Sequence, residues 1–400
     1  MSLLTTNPYG DRTLASARLP AGWPSALAPV ELGLLTNETP FLATHLPSIE
    51  ERYADFIAAF RGRVAAHYAV KCNPSPPVLA ALYRAGAGFE IASAFELRLA
   101  MKAGAAAEDI LYSNPVRPSA HLRAAAELGV KYFVVDGPGE LHKVAAHAPG
   151  TAVIARIRVD DGGSRFPLSS KFGADPEVAC RLLLQAPRLG LQPAGLTFHV
   201  GSQSTDPTAW ARAVEQCGEV MVTLAEHGIQ LEMLDIGGGF PATIGAGVPT
   251  LEEIAQPTLA AIDLLPVPVG RIVAEPGRGL VADASVMAAT VIGRERRGGR
   301  VWVYLDVGAY NGLMEAAQTA GRWPFPVRTS REDDRTAARL HCTLTGPTCD
   351  SSDTILIDAD LPDTIEEGDR VYIGSAGAYS MSYTSSFNGF NAPRDIILGS

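Results

Sequence analysis

From Phe41 to Pro276, short apolar runs rich in β-formers alternate with longer Ala/Leu-rich stretches whose apolar residues recur with helical period. The β-rich runs are HYAV (67–70), GFEIA (88–92), ILYSN (110–114), YFVVD (132–136), AVIARIRV (152–159), LTFHV (196–200), MLDIG (233–237) and RIVAEP (271–276). Between them lie VLAALYRAGA, AFELRLAMKAGA, HLRAAAELG, ELHKVAAHA, PEVACRLLLQAPRLG, TAWARAVEQCGEVMVTLAEHG and LEEIAQPTLAAIDLL. These predict helices, and several close on Gly, which accepts a left-handed C-cap. Eight strand–helix units in this length predict an α/β fold, a (β/α)8 TIM barrel. An open doubly wound sheet would be favoured by a GxGxxG turn after the first strand, and there is none.

Past about Gly277 the helical period fades. VWVYLDV, LHCTLTG, TILIDAD and RVYIG follow, separated by turns, and predict an all-β domain, a sandwich or small barrel. The expected division is a barrel over 40–279 and a C-terminal β domain over 280–400. The Pro-rich segment 1–39 is expected to join the β domain. RERRGG (294–299) reads as a solvated hairpin.

Composition narrows the function classes. The chain has 400 residues, 47% hydrophobic and 19% charged, which suits a soluble protein with a sizeable core. A net charge of -10 argues against nucleic acid and against an anionic membrane surface, although plain solubility explains it too. The five cysteines, Cys72, Cys180, Cys217, Cys342 and Cys349, are scattered without CxxC spacing. Neither a disulfide framework nor a metal site is expected, and a reducing cytoplasm is. No signal-like leader and no run long enough for a membrane span is seen.

In a barrel, function gathers where strands end. Lys71 follows HYAV; buried there, an ammonium loses hydration, which lowers its pKa and suits an amine that attacks an aldehyde cofactor. A snorkelling surface lysine is the alternative. His199, in LTFHVGSQ, could stack on a planar cofactor or move protons, or be a hydrogen-bonded core histidine. Gly201 and Ser202 after it offer a turn and a hydroxyl. Gly237, Gly238 and Gly239 in DIGGGFP expose backbone N–H groups suited to a phosphate. In EPGRG, Arg278 suits a phosphate and Glu275 a ring nitrogen that must stay protonated, unless the two simply pair with each other. In GPTCDSSD, Cys349 lies among polar residues and beside Asp350, exposed enough to react or part of an ordinary turn.

The ordered set YAVKCNP, GFEIAS, KFG, FHVGSQ, DIGGGFP, EPGR, GPTCDSSD, GAY and SFNGF resembles the fold-type III pyridoxal-phosphate decarboxylases, the ornithine/diaminopimelate/arginine decarboxylase family. The ornithine/lysine branch fits best. The resemblance implies pyridoxal 5'-phosphate as cofactor and a homodimer of alanine-racemase-like barrels with shared sites. It makes Lys71 the Schiff-base lysine, His199 the residue stacked on the pyridine ring and Glu275 the partner of its nitrogen. Ser202, Gly238, Gly239, Gly277, Arg278 and Tyr379 match phosphate-binding positions, and Glu90, Glu96 and Arg156 stand near the cofactor. Cys349, which returns a proton, and Asp350, which meets the substrate's distal amine, would come from the partner subunit. Lys171 would pair with Asp353 across the interface. A carboxylate at 275, where racemases of this fold carry Arg, favours decarboxylation.

Two departures concern the substrate. Ornithine-type members carry a further acid after the DVG segment, where this chain has Gln318 and Thr319, with Tyr310 before them and Glu315 a turn earlier. Glu90 stands where Asp is common. The leading expectation is decarboxylation of ornithine or lysine to the diamine. A modified, N-acylated diamino acid of siderophore or antibiotic biosynthesis is the alternative. A non-catalytic regulatory homologue is a third reading, against which Lys71, Cys349 and the phosphate residues are all present.

Overall fold

The computed structural model describes Trp23, Leu27, Ala28, Leu32 and residues 37–399. Eight parallel strands close into a barrel: Ala65–Ala69, Gly88–Ile91, Leu111–Tyr112, Tyr132–Val135, Ala152–Arg156, Gln192–Thr197, Met233–Asp235 and Arg271–Ala274. The ring shuts where Val273 and Ala274 pair with Ala65 and Ala66. Alternate residues point inward. Leu111, Tyr132, Val134, Ala152, Ile154, Ala194, Met233 and Val273 form a core inside the barrel. Their neighbours Phe133, Val135, Val153 and Ala155 face outward into the larger core under the helices. Both faces are therefore buried, which is why the strands read as unbroken apolar runs.

All seven expected helices form between consecutive strands. Helix Leu46–Ala59, which precedes the first strand, packs against Pro76–Ala85 and Leu251–Asp263 and completes the outer ring. Local chemistry fixes the ends. Ser93 Oγ accepts from the Glu96 amide to open Ala94–Ala103, and Gly104 closes it at φ 118°.

The second sheet runs Val327–Thr329, Arg370–Ile373, Ser285–Arg297, Arg300–Leu305, Arg339–Thr345, Thr354–Pro362. Ser285–Arg297 is its longest strand and none of the four expected runs contains it, because SVMAAT is too small and Ala-rich to signal a strand. Phe41–His45 also belongs to this sheet: it pairs antiparallel with Ser285–Ala288 and parallel with Arg394–Leu398. Trp23, Leu27 and Leu32 are buried with Phe41, Ala43, Val286, Ala288 and Tyr372 on its outer face. A two-stranded ribbon, Ser164–Phe166 with Ser202–Ser204, rises at the C-terminal end of the barrel. No helix among the described residues is long and apolar enough to cross a membrane.

Candidate active site

The strand ends converge on a cavity of about 340 Å³, lined by Lys71, Arg156, His199, Glu275, Arg278 and Gln318 among others. That volume lies in the range of small-molecule sites. Lys71 sits in the tight turn Val70–Cys72 that ends the first strand, and its Nζ donates to Glu90 Oε2 at 2.6 Å. Burial lowers the ammonium's pKa, but Glu90 above all, then Tyr379 and Glu275, outweigh burial and raise it. Burial alone, as expected from the sequence, would lower it; the carboxylate from the next strand reverses the sign.

His199 Nδ1 accepts from the Gly201 amide at 3.0 Å, which leaves Nε2 to carry the proton of the neutral ring. Burial, then Arg156 and Lys71, hold its pKa well below the usual imidazole range. A Cβ at Gly238 would lie 2.9 Å from His199 Nε2, so only glycine leaves that flank open.

Glu275 does not pair with Arg278. It accepts from the Ser113 hydroxyl, and its carboxyl faces Asp235. Burial, reinforced by Asp235, pushes Glu275 up to about 8. Asp235 is itself pushed up to about 6 by burial, against the bonds it accepts from the Gly237 amide and Thr197 hydroxyl. Two acids side by side thus hold a proton that a single exposed carboxyl would release.

At the other end, Gly239 has φ 102° and a Cβ there would meet Gly201 O at 2.6 Å. A Cβ on Gly277 would lie 3.1 Å from Cys72 Cβ. Arg278 is buried among rings, with Tyr379 at 4.9 Å. Its Nη2 donates to Ser202 Oγ at 3.2 Å, and its buried Nε has no partner among the described residues. An orphaned guanidinium N–H beside a close-packed glycine cradle and a hydroxyl can take a phosphate. With an amine and a proton-holding acid across the cavity, the donor set fits a phosphorylated pyridine aldehyde.

The remaining candidates are divided between the cavity wall and positions away from it. Cys349 is exposed, and its amide and thiol donate to Asn388 Oδ1 at 3.2 and 3.3 Å. Tyr310 interacts with Asp350 and Ser352 and packs on Phe387 at 4.9 Å. None of Tyr310, Cys349 and Asp350 lines the cavity. Gln318 does, but Thr319 does not; its hydroxyl donates to Glu315 O at 2.8 Å within its own helix. Glu96 binds the Ala92 amide at 2.6 Å and supports the turn after Ile91. Arg156 lies over the Phe172 ring at 5.2 Å. Lys171 is exposed, whereas Asp353 is fully enclosed and accepts from the Ala309 and Thr348 amides.

Sequence reasoning missed Ser113, Asp235, Phe166, Trp323 and Asn388. Asp235 left one usable signal, a carboxylate inside an apolar strand run. The rest are polar or aromatic residues in loops, a short helical turn and the two-stranded ribbon, given meaning only by their neighbours.

Residues 46–282 match the family described as "Pyridoxal-dependent decarboxylase, pyridoxal binding domain". The chain is 36% identical to an ornithine decarboxylase of Schizosaccharomyces pombe over 84% of its length and 78% of that protein. It is 34% identical to a lysine/ornithine decarboxylase of Selenomonas ruminantium, covering 90% of this chain and 89% of that one. The crystal structure of a Vibrio vulnificus lysine/ornithine decarboxylase complexed with putrescine superposes with a TM-score of 0.82 at 32% identity, over 92% of this chain and 97% of the other. The chain belongs to the pyridoxal-dependent decarboxylases, carboxy-lyases of fold type III.

Proposed function

We propose that the enzyme removes the α-carboxyl group of free L-ornithine or L-lysine, as a homodimer with shared sites. The observation that carries this is the convergence of Lys71 and Glu275 on one cavity with the Arg278 cradle at its end. When bound, pyridoxal phosphate supplies the electron sink for the pair left behind as CO2 departs. Lys71, which lines the cavity, would anchor the aldehyde. Glu275, kept protonated by burial and then by Asp235, would hold a proton at the ring nitrogen and so keep the sink deep. The neutral ring of His199 would cover one face of the group. Ser202, Gly238, Gly239, Gly277, Tyr379 and Arg278 hold the phosphate.

Charge supports a second copy. Among the described residues, the carboxylates lining the cavity are committed: Glu90 to Lys71, Glu275 to Ser113, Glu315 to Arg278. A substrate's distal ammonium needs another acid, and Asp350 of a second copy supplies it, with Cys349 beside it as the proton donor to carbon. An ion pair from Lys171 to Asp353 across that interface requires the turn around Thr348 to open, because Asp353 is enclosed. Free cysteines suit work in the cytoplasm. Substrates named for the relatives, ornithine and lysine, support the same choice.

The test is a CO2-release screen across ornithine, lysine, arginine, diaminopimelate and N-acyl ornithine. The highest kcat/KM is expected for ornithine or lysine. A higher value for the N-acylated compound removes the free-diamino-acid assignment.

A further inference from the structure

Glu315 and Arg278 come from different parts of the fold. Arg278 follows the last barrel strand, and Glu315 sits on the short helix Met314–Gln318 beside the second sheet. Both are buried, 5% and 4% exposed. A guanidinium is a flat fork with two usable edges, an end-on edge of Nη1 and Nη2 and a side-on edge of Nε with one Nη. Glu315 takes the end-on edge: Nη1 donates to Oε2 at 2.7 Å and Nη2 to Oε1. Nη2 also reaches Ser202 Oγ, and Nε is unpartnered among the described residues. The rings of Trp323, Tyr379 and Phe166 lie 4.8, 4.9 and 5.7 Å from the central carbon, so the fork is hemmed in.

We propose that Glu315 is a positioning residue: by occupying the end-on edge of Arg278 it aims the side-on edge, together with the Ser202 hydroxyl, at the cofactor phosphate. This rests on the assignment of Arg278 to the phosphate made above. The arrangement is costly if electrostatics alone is counted, because a carboxylate beside Arg278 weakens that residue's pull on a dianion. A purely electrostatic role therefore predicts that removing the Glu315 charge tightens phosphate binding. Positioning predicts the opposite, since an Arg freed of its partner loses the fixed geometry that aims its unpartnered Nε–H and the Ser202 hydroxyl at one phosphate. A third role, reading the substrate's distal ammonium, is disfavoured because both Glu315 oxygens already accept from Arg278.

The sign of one measurement separates these roles. The full-length protein, stripped of cofactor, is titrated with pyridoxal phosphate and with pyridoxal, which lacks the phosphate, following the visible absorbance that either aldehyde gives with Lys71. For Glu315→Gln the Kd for pyridoxal phosphate is expected to rise about tenfold, the effect of losing a charge-assisted bond's geometry, while the Kd for pyridoxal stays at the wild-type value. Glu315→Asp, which keeps the charge on a shorter arm, is expected to fall between the two. It decides by the same pair of titrations if the Gln variant does not fold. Unchanged or tighter binding of pyridoxal phosphate overturns the proposal. So does equal weakening for both aldehydes, which means general damage to the site. A raised KM for the amino acid with unaltered cofactor affinity overturns it in favour of substrate reading. Failure of the wild-type protein to develop absorbance with either aldehyde defeats the cofactor assignment itself, a different and recognisable result.

Discussion

At the mouth of the barrel, Glu90, Glu275 and Arg278 are each at most 7% exposed, and each is held by a named partner from another element. In the turn after Arg339–Thr345 the same kinds of group are treated differently. Cys349 is exposed, Asp350 is half-buried and receives the Ser352 amide two residues on, with Tyr310 beside it, and Asn388 supports the cysteine from outside the turn. The first region is pre-organised within one chain: burial and neighbours have already moved its proton affinities. The second is presented on an exposed turn and left unfinished. The buried groups of the cavity and the Cys349–Asp350 turn are thus separated in space, and the partners of the first all come from the same chain.

The contrast can be broken most forcefully at Lys71. Lys71→Ala is expected to abolish the visible absorbance of bound cofactor and to lower turnover by at least about 1000-fold. Activity retained in that variant would leave the cavity without its anchor. The next test addresses the unfinished region. Cys349→Ala, expected to lose roughly 100-fold in turnover, is mixed with Lys71→Ala under exchange conditions. If sites are shared, half the dimers are mixed and carry one intact site each, so about a quarter of wild-type activity returns. No recovery, with mixed dimers demonstrated by a tag, places Cys349 in its own chain's site.

A third, smaller effect concerns Glu275. Its pKa in the folded protein, about 8, lies above the usual carboxyl value. The folded chain therefore holds a proton that the unfolded chain gives up. Its stabilising contribution is complete below the unfolded pKa and is lost as pH rises through about 8. Glu275→Gln keeps the shape and cannot titrate. Between about pH 5 and pH 9, the Tm of the cofactor-free wild type should fall relative to that of the variant. A constant gap contradicts the shift. The smallest effect is at Gln318. Placing a carboxylate there with Gln318→Glu should lower the KM for ornithine or lysine by roughly two- to fivefold, the worth of a partly solvated ion pair. An increase would show that this wall does not face the distal amine.

Much of this was open to reading from the chain alone, for a physical reason. A barrel strand buried on both faces must be apolar throughout, so all eight announced themselves, and the residues just beyond them carried the site. Ser285–Arg297 hid because its packing uses alanines, and Phe41–His45 because five residues do not reveal which sheet they join. Lys71 was found, but the sign of its shift was not, since that depends on Glu90 one strand over. EPGRG left a Glu275–Arg278 pair open as the alternative to separate roles; the two do not pair, and Arg278 binds Glu315, 37 residues along, which nothing in that motif announces. Adjacency in sequence says little about which charges meet; strand order and helix docking decide it.

The parallel pairing of Phe41–His45 with Arg394–Leu398 has a temporal consequence. During synthesis the barrel's strands emerge in the order in which they pair, so most of that ring can assemble as it leaves the ribosome. The second sheet cannot. One of its inner strands is made before the barrel, has no partner until Ser285–Ala288 emerges, and gains its second only when more than three hundred further residues have followed, a closure of very high contact order. Until then that strand presents a bare edge, the kind of surface a chaperone would hold.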